Sequence, residues 1–154
     1  MNILFFLTPK SEVAHVFEDY TLRETLNTME RNKYTAVPIL NREGKYRGTV
    51  TEGDLLRAIT SKEGISLHDV ANLPIHKIWR RHDMIPVRAN SNIEDLVNVS
   101  MRQNFVPVVD DEDVFIGIIT RKSIINYCYK HSSIYIEKTL KLNEQHMNES
   151  GKSE

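Results

Sequence analysis

The sequence predicts an α+β protein made of two copies of one β-α-β-β-α unit, packed as a pseudo-twofold pair. The main observation is an internal repeat, because residues 35–59 align with residues 104–128 at a constant offset of 69 and without a gap. The second is that each copy alternates short apolar runs, which favour strands, with segments of helical periodicity. One unit alone cannot cover both faces of its three-stranded sheet, whereas two units packed sheet to sheet can. The duplication therefore predicts two similar clefts between the halves.

The first copy is predicted to span residues 5–61. Apolar residues recur on one face of its first helix, and its central strand is an uninterrupted apolar run. Asn and Gly in the turn between its last two strands tolerate the positive φ that a tight reversal needs. In order, the predicted elements are strand 13–16, helix 21–33, strand 36–40, turn 41–44, strand 46–50 and helix 52–61.

The second copy, residues 84–131, is predicted to repeat this order. Its elements are strand 85–87, helix 93–103, strand 105–109, turn 110–113, strand 114–119 and a helix from Arg121. Residues 62–83 are predicted to form a linker with a short helix over 76–81. A C-terminal helix over 132–142 and a polar, disordered tail over 143–154 are predicted to follow.

Length and composition exclude several classes of protein. The 154 residues suffice for a core without disulfide or metal support, and a net charge of -1 argues against non-specific nucleic-acid binding. The lone Cys128 has no partner for an internal disulfide, which favours a reducing, cytoplasmic compartment. The apolar run 3–7 is too short for a signal peptide or a membrane span, so we expect a short element packed on the core. Neither nucleic acid nor a membrane is an expected partner.

Residues 48–54 combine a strand end, a hydroxyl at a helix N-cap and a carboxylate one turn into the helix. A helix N-terminus presents free N–H groups and can bind a phosphate, while Asp54 can accept hydrogen bonds from ribose hydroxyls. The same Thr51-x-x-Asp54 pattern is close to a capping box, which only starts a helix. Both interpretations stay open at this stage.

The corresponding motif of the second copy has Ser123 in place of the acid, and two cations follow Thr120. Positive charges at a helix N-terminus oppose the helix dipole unless an anion compensates them. Arg121 and Lys122 therefore favour a bound phosphate, and the alternative is that both side chains extend into solvent.

These motifs resemble those of CBS domains. The resemblance rests on a strand with a central Val-Pro followed by Gly-x-apolar-Thr, and it covers residues 5–140. The segments that carry it are Tyr34–Pro38 with Gly48–Asp54, and Phe105–Val109 with Gly117–Thr120. Four shorter stretches look most like the stand-alone cyclic-di-AMP-binding CBS proteins of Gram-positive bacteria, namely Val13–Val16, Tyr34–Ala36, Asp113–Phe115 and Thr120–Lys122.

The resemblance implies a regulatory CBS pair, or Bateman module, with no cofactor and no chemistry of its own. Such pairs bind an adenine nucleotide such as AMP, ATP or cyclic-di-AMP. Each cleft takes its base-contacting strands from one copy and its Gly-x-apolar-Thr motif from the other. Cleft one is accordingly expected to combine Ala14, Thr35, Ala36 and Val37 with Thr120, Arg121 and Lys122. Cleft two is expected to combine Ile85, Asn104, Phe105 and Val106 with Thr51 and Asp54.

Neither cleft matches the family pattern completely. Cleft one has Ser123 in place of the ribose-binding acid, and cleft two has Phe105 where a small residue would leave room for adenine. The two cations of cleft one suit a bis-phosphate ligand, whereas Glu12 lies where a cation would help one. We therefore expect an adenine nucleotide, with cyclic-di-AMP as the favoured candidate.

The two alternatives to a nucleotide-binding module are an enzyme and a ligand-free interaction module. An enzyme would need acid–base groups such as His15 and Asp54, but the spacing indicates no Ser/His/Asp or Cys/His grouping, so we expect no enzymatic activity. The serious alternative is a ligand-free dimeric interaction module, in which the segment after residue 132 contacts an unknown client protein. A homodimer formed through helices is expected in either case. A nucleotide that bridges both copies would favour one arrangement of the two halves, which a client could recognise.

Overall fold

A computed structural model describes residues 1–61, 63–81 and 83–150, and every element below lies in those ranges. The chain forms two sheets, one for each copy of the repeat, with strand orders β2-β3-β4 and β1-β7-β6-β5. The strands are β1 (Thr8–Pro9), β2 (Val16–Phe17), β3 (Ala36–Leu40), β4 (Tyr46–Thr51), β5 (Val87–Arg88), β6 (Phe105–Val109) and β7 (Phe115–Thr120). The helices are α1 (Leu22–Asn32), α2 (Glu52–Ser61), α3 (Leu67–Ala71), α4 (Ile93–Ser100) and α5 (Arg121–Ser150). The predicted β-α-β-β-α order is confirmed in both copies.

In the first half, helix α1 connects two parallel strands, β2 and β3, and β4 returns antiparallel to β3. A capping box starts α1: Glu24 N donates to the Thr21 hydroxyl at 3.1 Å, and Thr21 N donates to the Glu24 carboxylate at 2.8 Å. Lys33 ends the helix in the left-handed conformation at φ 56°. Apolar residues of the helices and the sheet then pack into one core, which includes Met29 and Ile39.

The second half repeats this topology, with an additional strand from the N-terminus. Ile3 and Phe6 are buried in the core of the second half, and β1 pairs antiparallel with β7. The expectation of a short element packed on a core is confirmed, because a 3-10 turn spans Ile3–Phe6. The first copy is predicted from residue 5 onwards, but Ile3, Phe6 and β1 pack on the second sheet and its core. The N-terminal segment therefore joins the two halves.

The two halves meet around a pseudo-twofold axis. Lys45 and Val114, which are equivalent in the repeat, form an isolated antiparallel bridge. On either side of it Tyr46 N donates to Asp113 O at 3.1 Å, and Phe115 N donates to Gly44 O at 2.9 Å. These two hydrogen bonds join equivalent positions, so each turn supplies the same pair of groups. Val13, Leu40 and Phe115 form a buried cluster beside the bridge.

The C-terminal prediction is wrong in two respects. Helix α5 runs from Arg121 to Ser150 as one element, so there is no separate helix over 132–142 and residues 143–150 are helical rather than disordered. The physical reason is that residues 121–150 contain no Gly or Pro, while their polar residues include good helix formers such as Glu, Gln and Lys. Residues 151–154 of the predicted tail lie outside the described residues.

The linker also differs from its prediction. Helix α3 starts at Ser66, whose hydroxyl accepts a hydrogen bond from Asp69 N, and a 3-10 turn at Ile75–Lys77 replaces the helix expected over 76–81. Val70 and Ile78 are buried in the first core, so the linker contributes to the packing of the first half. Smaller shifts occur at two predicted element boundaries: β2 begins at Val16 rather than residue 13, and α4 ends at Ser100 rather than residue 103. Among the described residues, no helix has the length and apolar character needed to cross a bilayer.

Candidate functional site

A cavity of about 280 Å³ lies between the two halves at the position predicted for cleft one. It brings Ala36, at the start of β3, close to Thr120, at the end of β7, so it takes residues from both copies. The complete lining is Thr8, Val13, Tyr34, Ala36, Pro38, Asn104, Phe105, Ile118 and Thr120. Most of this wall is apolar, and the hydroxyls of Thr8, Tyr34 and Thr120 add polar groups.

A smaller cavity of about 200 Å³ adjoins the first. The two share Tyr34, Ala36, Asn104 and Phe105, and the smaller one adds Lys33 and Thr35. Lys33 is the C-cap residue of α1, so the left-handed turn that ends this helix places a cation at the rim. Cleft one is therefore a site with two lobes and one lysine among its lining residues.

The cations predicted for cleft one are not part of either lobe. Arg121 Nε donates to Ser100 O at 2.9 Å, in a groove between α4 and α5. Lys122 is exposed and is not among the lining residues of the two lobes. In this structure the first residue of α5 faces α4, because each helical residue turns by about 100°, and the role of Arg121 as a phosphate ligand stays a prediction.

The carboxylate of Asp54 is only 1% exposed and is already bonded within the first half. It accepts hydrogen bonds from Thr51 N at 2.9 Å, Arg57 Nη2 at 2.6 Å and Arg81 N at 3.2 Å. Asp54 N donates in return to the Thr51 hydroxyl at 3.2 Å, which completes a capping box at the start of α2. Burial raises the pKa of Asp54, but hydrogen bonds from the Thr51 and Arg81 amides, the Thr51 hydroxyl and Arg57 together bring it below its ordinary value. Of the two interpretations of this motif, the structure supports the cap, and Asp54 lines neither lobe of cleft one.

In the region predicted as cleft two, residues of β4 bond to residues 83 and 84 of the linker. The Tyr46 hydroxyl lies 2.6 Å from the Thr49 hydroxyl and donates to Met84 O at 2.8 Å. Burial raises the pKa of Tyr46 well above its ordinary value, so this hydroxyl stays protonated. Asp83 accepts a hydrogen bond from Thr49 N at 3.1 Å. Ile85, predicted as a contact here, is 59% exposed and lies in a shallow groove with Arg102 and Gln103.

Other predicted residues fall into two groups. Asn104 and Phe105 line the lobes of cleft one instead of a separate second cleft. Val37 and Val106 are fully buried in the two separate cores, so their side chains face neither cleft.

Two neighbouring residues, Ala14 and His15, lie just before β2. Ala14 is half-buried and does not line either lobe, whereas its neighbour Val13 does. Burial lowers the pKa of His15, so its ring is neutral near pH 7 and is not a phosphate-binding cation.

Sequence reasoning missed Tyr34, Pro38 and Ile118 as lining residues. The signal was the strand period of two: residues 34, 36 and 38 share one face, as do residues 118 and 120, while residue 37 faces the core. Thr8 reaches the cavity only because β1 pairs with β7. That pairing of distant segments left no local signal in the sequence.

Comparison with known proteins agrees with this architecture. A family model described as CBS domain matches residues 7–61 and 70–130. The cyclic di-AMP receptor B of Bacillus subtilis is 25% identical over 126 residues, which are 82% of this chain and 85% of the receptor.

Two solved structures have the same fold. A crystal structure of CbpB in complex with c-di-AMP has a TM-score of 0.78 at 23% identity and covers 90% of this chain and 91% of that one. The structure of CBSX2 in complex with AMP has a TM-score of 0.70 at 20% identity and covers 85% and 98%.

Proposed function

This chain belongs to the CBS domain family, and on that premise we propose that it is a regulatory module that binds an adenine nucleotide in cleft one. The observation that carries the proposal is the cavity that joins Ala36 of the first copy to Thr120 of the second. A ligand there contacts both halves at once. We assign no catalytic step to the chain.

The shape of cleft one suits a base bound against an apolar wall. Val13, Pro38 and Ile118 can contact an adenine ring without competing for its hydrogen bonds, and the small Ala36 leaves room for it. The aromatic rings of Tyr34 and Phe105 lie at the boundary between the two lobes. Rings in this position can stack on a base, which contributes about 1–3 kcal/mol for each base stacked on an aromatic residue.

A phosphate would lie towards the start of α5. The Thr120 hydroxyl accepts a hydrogen bond from Ser123 N at 3.1 Å, so it is held at the first turn of a long helix whose N-terminus favours anions. Lys33 lines the smaller lobe and is the cation that we assign to a second phosphate.

The two lobes favour cyclic-di-AMP over AMP as the ligand. A dinucleotide has two bases and two phosphates, whereas a mononucleotide would leave one lobe empty. The names of the relatives support both chemistries, since one is a cyclic di-AMP receptor and CBSX2 binds AMP. The expected order of affinity is therefore cyclic-di-AMP first and AMP second.

Binding is proposed to regulate a partner protein from a cytoplasmic homodimer. The ligand bridges the halves, so it stabilises one relative orientation of them, and a client that prefers this orientation binds more tightly. A homodimer interface is available on the helices. Leu56 and Ile125 are equivalent in the repeat and are both largely exposed, as are Met101 and Tyr129 beside the α4/α5 groove.

The test is a thermal-shift screen of AMP, ATP and cyclic-di-AMP on the full chain. A ligand at one hundred times its Kd adds about 2.7 kcal/mol to the free energy of unfolding. That raises Tm by roughly 5–10 °C for a chain of this size. Ala36→Trp, which fills the cavity, should abolish the shift, and Asn90→Trp on an exposed turn should retain it. If none of the three nucleotides raises Tm, the proposal is wrong and the ligand-free interaction module becomes the better account.

A further inference from the structure

The two clefts are related by the repeat, but the linker covers only one of them. Three linker residues, Arg80, Asp83 and Met84, lie against β4 around Gly48 and Thr49, which are the equivalents of Gly117 and Ile118 on β7. Ile118 lines the cavity of cleft one, whereas Thr49 is fully buried. The difference between the clefts therefore arises at equivalent positions with different neighbours.

The glycines at these positions show how each strand is covered. A Cβ on Gly117, where φ is +154°, would collide with the backbone carbonyl of Thr8 in β1. A Cβ on Gly48, where φ is +140°, would collide with the carboxylate of Asp83. In the second half a paired strand lies against the glycine, and in the first half a side-chain carboxylate does so. The Asp83 carboxylate thus lies against Gly48 as the Thr8 carbonyl of β1 lies against Gly117.

Asp83 is held in this place from two sides. Arg80 donates to its carboxylate from Nε at 2.7 Å and from Nη2 at 3.1 Å, and Thr49 N donates at 3.1 Å. Arg80 Nη2 also approaches Arg47 O at 3.4 Å, which ties the linker to β4. The Arg80 side chain is only 17% exposed but the Asp83 side chain is 47% exposed, so solvent partly screens this ion pair.

Tyr46 makes a further connection between β4 and the linker. Its hydroxyl bonds to the Thr49 side chain and to Met84 O, so it connects β4 to the linker through one phenol. The equivalent residue in the second half is Phe115, which has no hydroxyl to make this connection. The sequence difference between Tyr46 and Phe115 accordingly coincides with the closed and the open cleft.

We propose that Arg80, Asp83 and Tyr46 form a closure that seals cleft two, so that each chain has a single nucleotide site. This inference rests on the proposed function for the identity of the ligand, but the closure itself does not. The first half then serves as a fixed wall, and only cleft one responds to nucleotide. A homodimer would bind two nucleotides, one in each chain.

The closure is tested without ligand by hydrogen exchange. In Asp83→Ala the Thr49 amide loses its acceptor, so it should exchange about tenfold faster than in the wild type, and Tm should fall. Tyr46→Phe should also lower Tm. Asp111→Ala, an exposed carboxylate in a turn, is the control and should change neither quantity. Unchanged exchange of Thr49 in Asp83→Ala would overturn the closure.

The number of sites is tested by calorimetric titration of the full chain with cyclic-di-AMP and with AMP. We expect about one bound nucleotide per chain, with the same affinity in Tyr46→Phe as in the wild type. Two nucleotides per chain, or a large loss of affinity in Tyr46→Phe, would overturn the inference. If neither nucleotide binds, the proposed function fails, and the exchange of Thr49 still decides whether the closure exists.

Discussion

Replacing Asp54 by Ala separates the two roles that its motif suggested. The carboxylate accepts hydrogen bonds from the Thr51 and Arg81 amides and from the Arg57 guanidinium, and it is nearly inaccessible to solvent. A cap that cannot be formed lowers stability by about 1 kcal/mol. The charged hydrogen bond to Arg57 adds about 1.5–3 kcal/mol. The expected loss is therefore about 2.5–4 kcal/mol, with nucleotide affinity unchanged.

The assay is thermal denaturation of the wild type and the variant, followed by titration with cyclic-di-AMP at a temperature where both are folded. For a chain of this length each kcal/mol lowers Tm by about 2–4 °C, so a decrease of roughly 5–15 °C is expected. Ser123→Ala is the matched control, because Ser123 is the equivalent residue and its hydroxyl bonds, within the described part of the chain, to Thr120 alone. It should cost about 1 kcal/mol or less.

Two results would contradict the role of Asp54 as a helix cap. If Asp54→Ala keeps the stability of the wild type but loses nucleotide binding, the carboxylate serves a ligand and the cap is incidental. A loss equal to that of Ser123→Ala would also contradict it, because the contribution of the buried charge would then be negligible.

Three further predictions concern pH, the N-terminal strand and the dimer. The pKa of Asp54 is lower in the folded than in the unfolded protein, so the ionised carboxylate stabilises the fold fully above its unfolded pKa, and this stabilisation is lost as pH falls through the folded pKa. Below about pH 4 the free energy of unfolding of the wild type should therefore fall more steeply with pH than that of Asp54→Ala, as measured by urea denaturation. Gly117→Ala should detach β1 at a cost of about 1–3 kcal/mol, seen as faster proteolysis of residues 1–12, whereas unchanged cleavage would contradict it. On the proposal that the chain dimerises through this face, Ile125→Glu should be a monomer by light scattering at a concentration where the wild type forms a dimer, and a dimeric variant would exclude this face.

The boundary of α5 shows where local reasoning stopped short. The absence of Gly and Pro from residues 121–150 permits a long helix, but polar composition suggested disorder. Helix propensity and charge describe each residue separately, whereas the helix grows from a first turn that the body of the protein holds. Arg121, bonded to Ser100 O, and the buried Ile124 anchor that turn. Once such a nucleus exists, adding further residues costs little.

Only some residues of cleft one were predicted from the sequence. The repeat placed Ala36 and Thr120 on opposite halves, and they line one cavity. Alternation along β3 and β7 would also have identified Tyr34, Pro38 and Ile118, because a strand's side chains alternate between faces. By contrast, nothing near Arg121 in the sequence shows that its side chain contacts α4.

The sequence by itself determined the duplicated unit, the order of its strands and helices and the family, because these depend on local periodicity and on motifs repeated in one register. Only the tertiary structure decided that Asp54 caps a helix, that β1 completes the second sheet and that Asp83 and Tyr46 bond β4 to the linker. Each of these depends on which distant group meets a side chain. Asp83 is 34 residues from Thr49, and Thr8 lies far along the chain from Ile118. Two copies of one pattern can therefore have different clefts, because the segments that cover them lie outside the repeated motifs.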